Sequence, residues 1–343
     1  MNAITPLSTR RVTLALQGGG SHGAFTWGVL DRLLEEPRLR IEAVSGTSAG
    51  AMNAACLAHG LADSGRQGAR DTLERFWTAI SNAAAFSPIR RSPLAVWLGN
   101  WSVADSMGYL MSTTFGRTLS PYQSNPLNIN PLRETVERII DFEAVRACRD
   151  LSLFVTATNV HTGRPRIFTR EDLSVDAVLA SACLPHLFQA VEIDGVPYWD
   201  GGYVGNPALW PLIYETDVRD LLLVRINPLI REQTPMTGLE IADRLNEITF
   251  NASMFREMRA IAFVGRMLDE GSLDPKRYKR MLIHAIEAED DLKSLGASSK
   301  LNAELPFLFH LRDIGRRAAD DWLTKNLEKI GYESTVDVAS AYL

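Results

Sequence analysis

The chain has 343 residues, 46% of them hydrophobic, a formal net charge of −5 and three cysteines. That is enough apolar chain to bury a substantial core, in one large α/β domain or one domain with an extension. The negative balance and the lack of a dense Lys/Arg run exclude a nucleic-acid footprint and a polybasic anchor for anionic lipid, so any membrane contact would be mainly apolar.

Met1 to Arg11 carry no continuous apolar run of the leader type, and no uncharged stretch reaches the ~18 residues of a spanning helix. The expectation is an unexported, cytoplasmic protein whose contact with a membrane is peripheral and transient. Val12–Leu16 reads as a strand that runs into Gln17-Gly18-Gly19-Gly20-Ser21-His22-Gly23 and then into a helix over Ala24–Glu36. Consecutive glycines leave backbone N–H groups uncovered, and a helix N-terminus adds a positive dipole end, so this turn suits a phosphate or an oxyanion. Gly18, Gly20 and Gly23 also satisfy the dinucleotide pattern G-x-G-x-x-G, which calls for an acidic residue about 20 positions on, at the end of the next strand. Glu42 is near that spacing but opens its strand.

A second strand-to-helix turn follows. Ile41–Val44 is apolar and Ala51–Ala58 is helical and small-residued, with Gly46-Thr47-Ser48-Ala49-Gly50 between them. Gly46 and Gly50 permit a sharp turn that pushes the Ser48 hydroxyl into the open at the carboxyl edge of a sheet and directs the next backbone N–H at the reacting atom. Residues 86–130 form an insert rich in Pro, Ser and Asn that carries Trp97, Trp101, Met107, Tyr109, Met111 and Phe115, either a lid or acyl pocket or a satellite core. Leu151–Thr158 is a further strand, and Val191–Trp199 is a hairpin turning at Asp194-Gly195, which leaves Asp200-Gly201-Gly202 as a separate feature. Strand candidates without polar alternation, Leu221–Ile226 among them, suit a sheet covered on both faces.

The tail starts after Asn227-Pro228. Thr237-Gly238-Leu239-Glu240 is a capping-box pattern opening a long amphipathic helix, with Leu245, Ile248, Ala252, Phe255, Ile261 and Leu268 at helical spacing, ending near Gly271. Met281–Ile286 is a possible strand. A last helix from Pro306 places Leu308, Leu311, Ile314, Ala318 and Trp322 on one face. Both helices are expected to pack on the sheet, since neither polar face is markedly basic. Cys56, Cys148 and Cys183, odd in number and in apolar or helical contexts, read as small core residues in a reducing compartment.

In motif, order and spacing, Q-G-G-G-S-H-G followed by G-T-S-A-G and later D-G-G resembles the patatin-like phospholipases. The likeness covers about residues 12 to 210, and the tail resembles the C-terminal region of bacterial members without adding a catalytic motif. It implies a three-layer α/β/α sandwich around a mostly parallel sheet: a core over residues 10–227, with the 86–130 insert, and a mainly helical extension of the same domain over 228–343. It implies a catalytic dyad of Ser48 and Asp200, an oxyanion hole at Gly18, Gly19 and Gly20, and motif glycines Gly23, Gly46, Gly50, Gly201 and Gly202. No cofactor and no metal are implied; the substrate is a lipid or other acyl ester. Two departures are visible: His22 stands where the family usually has Arg or Lys, and Gln17 stands where the family often has its first loop glycine. His22 is therefore a candidate for support of the loop and of substrate charge.

A serine hydroxyl needs a base, and an exposed aspartate, with a reference pKa near 3.9, is a poor one, so the dyad requires Asp200 to be desolvated beside Tyr198 and Trp199. Two other readings stay open. A conventional Ser-His-Asp esterase would need His284 or His310 after Asp200, but one lies in an apolar run and the other in a helix, where a triad histidine does not normally sit. A nucleotide- or phosphate-binding module would use the Gly18–Gly23 loop without acyl chemistry. His59, His161 and His186 make no metal-binding pattern.

Overall fold

A computed structural model of the chain describes residues 9–106, 108–109, 119–293 and 295–343. Met107, Met111 and Phe115 of the insert lie outside the described residues. Eight strands form one sheet: β1 (Arg10–Leu16), β2 (Leu39–Gly46), β3 (Ser152–Asn159), β4 (Pro165–Thr169), β5 (Val191–Ile193), β6 (Val196–Asp200), β7 (Asp220–Val224) and β8 (Leu282–Ile286). The order is β5-β6-β3-β2-β1-β7-β8, with β4 also paired to β3. The five strands from β3 to β8 run parallel, and β4, β5 and β6 add antiparallel pairs.

The sheet is covered on both faces, as the unalternating strands require. Val12, Leu14, Leu16, Val44, Val155, Leu222 and Val224 pack under α1 (Gly23–Glu35), α2 (Ala49–Ala83), α3 (Val175–Ser181) and the late helix Leu305–Asn326. The alternate residues Ala15, Ala43, Phe154, Leu221, Leu223 and Ile283 meet Leu209, Leu212, Met254, Met258 and Tyr342 on the other face. The result is the three-layer sandwich expected from the sequence, with the tail contributing the last strand and helices to both outer layers.

Local differences from the sequence reading have physical causes. α2 is two helical segments in series, broken by the non-helical backbone of Ser64 and Gly65, where Gly65 has φ +66°. The helix opened by Thr237, here α4 (Gly238–Asp269), has the expected capping box. Its inner face is not the expected one, however: Glu247, Asn251, Met254 and Met258 are buried while Leu245 and Ile248 are exposed. Arg231 and Arg244 neutralise Glu247, and Asn251 donates to the Pro228 carbonyl at 3.1 Å, so polar residues occupy the inner face at no unpaired cost. The late helix, α5, buries Leu308, Leu311, Ile314 and Trp322 as expected. Gly28 of α1 and Gly315 of α5 each sit against the other helix's backbone, where a Cβ would clash. In the insert, Trp101 packs on Phe307 and stacks on His310, and Tyr109 is buried, whereas Trp97 is 81% exposed.

Candidate active site

The register of the sheet brings two chain segments to one place. Gly46, the last residue of β2, pairs with Val155, and Asp200, the last of β6, pairs with Ala157, two residues further along β3. Ser48 follows Gly46 by two positions, so both side chains arrive at the same level of the carboxyl edge. At the elbow, Ser48 has φ +56°, a left-handed conformation that is strained for a non-glycine residue. Its flanking glycines are sterically required. A Cβ on Gly46 would lie 2.6 Å from the Gly50 carbonyl oxygen, and one on Gly50 would run into the Leu16 backbone. The turn is pinned by Thr47 donating to Gly205 O at 2.7 Å and by the Ser48 amide donating to Ser181 Oγ at 2.9 Å.

Asp200 is 1% exposed. Its amide donates to Cys183 O at 2.8 Å, its carbonyl accepts from Thr158 Oγ1 at 2.7 Å, and Oδ1 accepts from the Gly202 amide at 2.7 Å. Oδ2 is buried with no formed hydrogen bond. Burial raises the pKa to about 7, against the Gly202 amide and the nearby Ser48 hydroxyl, which both favour the charged form. Ser48 is thus within influence of the carboxylate, but the geometry leaves Oδ2 without a completed bond. Burial, and after it the charge on Asp200, also raises the pKa values of Tyr203 and Cys183. Gly201 lies against the Thr156 backbone, and a Cβ on Gly202 would come within 3.0 Å of Asp200 Oδ1.

The glycine loop lies directly over the elbow: a Cβ on Gly18 would be 2.7 Å from that of Ser48. The three amides expected as oxyanion donors are not equivalent. Gly18 N–H donates to Asn206 Oδ1 at 2.7 Å. No acceptor among the described residues takes the N–H groups of Gly19 or Gly20. Gly20 has φ +57°, and Gly23 is needed because a Cβ there would lie 2.6 Å from that of Ala49 at the start of α2. Gln17, fully buried, accepts from the Ile226 and Asn227 amides at 2.9 and 3.0 Å and so ties the loop to the end of β7.

His22 is 3% exposed and bonded through Nε2 to Ser299 Oγ at 2.8 Å. Ser299 Oγ itself donates to Gly296 O, so the imidazole is the donor of that pair. Burial, helped by the charges of Lys300 and Arg231, lowers the His22 pKa to about 3. The bond to Ser299 ties His22, and with it the glycine loop, to the turn Ala297–Leu301. Sequence reasoning missed Asn206, Asn227 and Lys300, which contact the loop from 188 to more than 200 residues away and carry no local pattern.

The histidines that a triad would need are elsewhere. His284 is fully buried in β8 with Asp220 Oδ1 at 3.0 Å and Thr335 at 3.2 Å, and His310 is exposed on α5. Glu42, the acidic residue required by the dinucleotide reading, pairs with Arg11 and Arg40 at the amino end of β2, away from the loop. Among the described residues, no group of three or more His, Cys, Asp or Glu side chains is placed to hold a metal ion, and no helix is long and apolar enough to cross a membrane.

A family model described as patatin-like phospholipase matches residues 14–213, more than half of the chain. No curated protein sequence matches. Among solved structures, VipD from Legionella pneumophila is similar at 15% identity with a TM-score of 0.37, over 90% of this chain and 67% of that one. ExoU in its complex with SpcU from Pseudomonas aeruginosa is similar at 16% identity with a TM-score of 0.38, over 94% of this chain. The match spans only 52% of that chain.

Proposed function

The chain belongs to the patatin-like phospholipase family, and from that premise we propose that it is a lipid acyl hydrolase acting through an acyl-enzyme on Ser48, with Asp200 as the only base. The observation that carries this reading is the buried, unpaired Oδ2 of Asp200 beside the strained serine elbow. A carboxyl group with a pKa near 7 is a far better proton acceptor than an ordinary aspartate, and at neutral pH it is still substantially ionised. In the first half-reaction the Asp200 carboxylate takes the Ser48 proton as Oγ attacks the ester carbonyl, and the protonated carboxyl then gives that proton to the departing alcohol. In the second, Asp200 takes a proton from water, hydroxide attacks the acyl-serine, and the proton returns to Ser48 Oγ as the fatty acid leaves. The free N–H groups of Gly19 and Gly20 are the proposed donors to the tetrahedral oxyanion, with Gly18 acting as the spacer that lets the loop approach the elbow.

The substrate class follows from the family: fatty-acyl esters of phospholipids or related lipids, met by transient contact with a lipid surface. The core over 10–227 supplies these groups, and the 228–343 extension supports the loop. The test is hydrolysis of a panel of lipid esters, profiled by mass spectrometry for wild type and Ser48→Ala. Fatty acid released by wild type and not by the variant is expected; equal release by both would remove Ser48 from the mechanism.

A further inference from the structure

The proposed oxyanion hole contains only neutral peptide groups, and its one loop histidine is uncharged. Yet a cation is wired to it from the far end of the chain. The turn Ala297–Leu301 packs against the glycine loop, with a Cβ on Gly20 brought within 2.5 Å of the Lys300 carbonyl oxygen. Lys300 is half-buried, and burial lowers its pKa, opposed by the charges of Glu247 and Asp243 on α4. No carboxylate among the described residues forms an ion pair with it, Glu247 being held by Arg231 and Arg244. The partner it does have is an amide. Lys300 Nζ donates to Asn227 Oδ1 at 2.8 Å, and Asn227 Nδ2 donates to the Gly18 carbonyl at 3.0 Å.

The orientation of Asn227, which is 1% exposed, is unambiguous. Ammonium only donates and a carbonyl only accepts, so the amide oxygen must face Lys300 and the nitrogen must face Gly18. The Gly18 carbonyl belongs to the same peptide unit as the Gly19 N–H. In a trans peptide the two point in opposite directions, so a donor pulling on the oxygen polarises the N–H on the other side. Gly18 is also gripped at its own amide by Asn206 Oδ1, which fixes the plane of the loop from both ends.

We infer that Lys300 is a positioning residue for the acyl transfer, acting through Asn227 and the Gly18–Gly19 peptide to orient and strengthen the Gly19 N–H as oxyanion donor. The inference rests on the Ser48–Asp200 reading. The hydrogen-bond series is directional: each group donates to the next, beginning at the Lys300 amino group and ending at the unpaired Gly19 N–H, and such series strengthen cooperatively in a low-dielectric interior. Loss of a whole oxyanion donor costs about 10²–10³ in kcat. Loss of the support behind a donor that stays in place is expected to cost less, on the order of ten-fold.

The test uses the full chain with a neutral soluble ester, a zwitterionic phospholipid and an anionic phospholipid as substrates, comparing wild type, Ser48→Ala, Lys300→Met and Lys300→Arg. Methionine keeps most of the side-chain volume but leaves the buried Asn227 Oδ1 without its donor, so Lys300→Met is expected to melt somewhat below wild type, and its kinetics are measured well below the transition. The expected result is a roughly ten-fold fall in kcat on all three substrates with KM unchanged, a parallel fall in the rate of labelling by a fluorophosphonate, and recovery of most of the loss in Lys300→Arg. Unchanged kcat in a folded Lys300→Met would overturn the relay. So would a rise in KM confined to the anionic lipid, which would make Lys300 a headgroup contact, or a loss of activity that merely follows a lowered Tm. Ser48→Ala separates the two levels: if it still turns over, the acyl-serine reading fails, whereas a dead Ser48→Ala with an unaffected Lys300→Met fails the relay alone.

Discussion

Two of the buried aspartates, Asp220 and Asp200, lie at opposite ends of the sheet, and they are partnered in opposite ways. Asp220, at the start of β7, accepts from the Gly331 amide at 2.7 Å and pairs with His284 at 3.0 Å, while His284 is bonded in turn to Thr335. It has the Asp-His half of a hydrolytic triad and no serine elbow. Asp200, at the end of β6, has the elbow and no histidine, and one of its oxygens is left bare. A buried polar pair whose partners are all present contributes to the fold, whereas a buried carboxylate oxygen without a donor is a cost the fold carries. Similar composition therefore marks structure in one place and chemistry in the other, and the difference lies in which hydrogen bonds are missing.

The most direct way to break this contrast is at the elbow. Ser48→Ala removes a hydroxyl and no core volume, so turnover of a soluble ester should fall by about 10⁴–10⁶ with an unchanged circular dichroism spectrum. Retained phosphonate labelling in that variant would end the assignment. Asp200→Asn should cost several orders of magnitude as well, and it carries a second signature. The folded pKa of about 7 lies above the ordinary value of 3.8, so the folded state holds the proton more tightly than the unfolded chain. That contribution to stability is fully present below about pH 4 and is lost as pH rises through 7. Asp200→Asn should accordingly melt above wild type at pH 8, with the gap closing towards pH 4, while wild-type kcat/KM should fall about ten-fold per pH unit below 7 as the base takes up its proton. A flat acid limb down to pH 5 would put the base elsewhere.

Between the extremes stands the loop. Gly18→Ala would place a Cβ 2.7 Å from that of Ser48 and 2.9 Å from the Thr47 carbonyl, lifting the loop off the elbow, with an expected loss of about 10²–10³ in kcat. At Gly19 the same methyl would meet Ile226 Cγ2 at 3.3 Å, and its φ of 178° is open to any residue, so Gly19→Ala should cost far less. Steady-state kinetics on the two variants side by side checks whether approach to Ser48 is what these glycines serve; equal losses would count against it.

What could be read from the sequence was whatever is local. A strand, two glycines and a serine within ten residues announce the elbow, Asp194-Gly195 announces the hairpin, and Thr237 with Glu240 announces the cap of α4, because each depends on backbone geometry set by neighbours. β4 was not legible: Pro165-Arg166-Ile167-Phe168-Thr169 has little apolar content and is a strand only because β3 offers it an edge. The inner face of α4 was misread because Leu245 and Ile248 fit a helical stripe better than Glu247 and Asn251, whose partners come from other segments. Least legible were Asn206 and Asn227, which bond the loop from 188 and 209 residues away, and Lys300, which reaches Asn227 across 73, since such a polar side chain looks the same in sequence as one facing water.

The smallest effect on rate should come from the other aspartate's partner, and it sharpens the comparison most cleanly. His284 is fully buried in the middle of β8, in register with Leu222, between Asp220, Thr335 and the edge of Trp322. His284→Gln keeps a polar side chain of similar reach but cannot reproduce both bonds from one planar ring, so one buried partner is left short, at an expected cost of about 1–3 kcal/mol in stability. None of those partners touches the elbow, the glycine loop or Asp200. The variant should therefore unfold at lower denaturant while its kcat and KM, measured well below the transition, stay within about two-fold of wild type. A collapse of kcat in a folded His284→Gln protein would mean that the Asp-His pair reaches the chemistry after all, and the Ser-Asp dyad would have to give way to a triad assembled by a movement of β8.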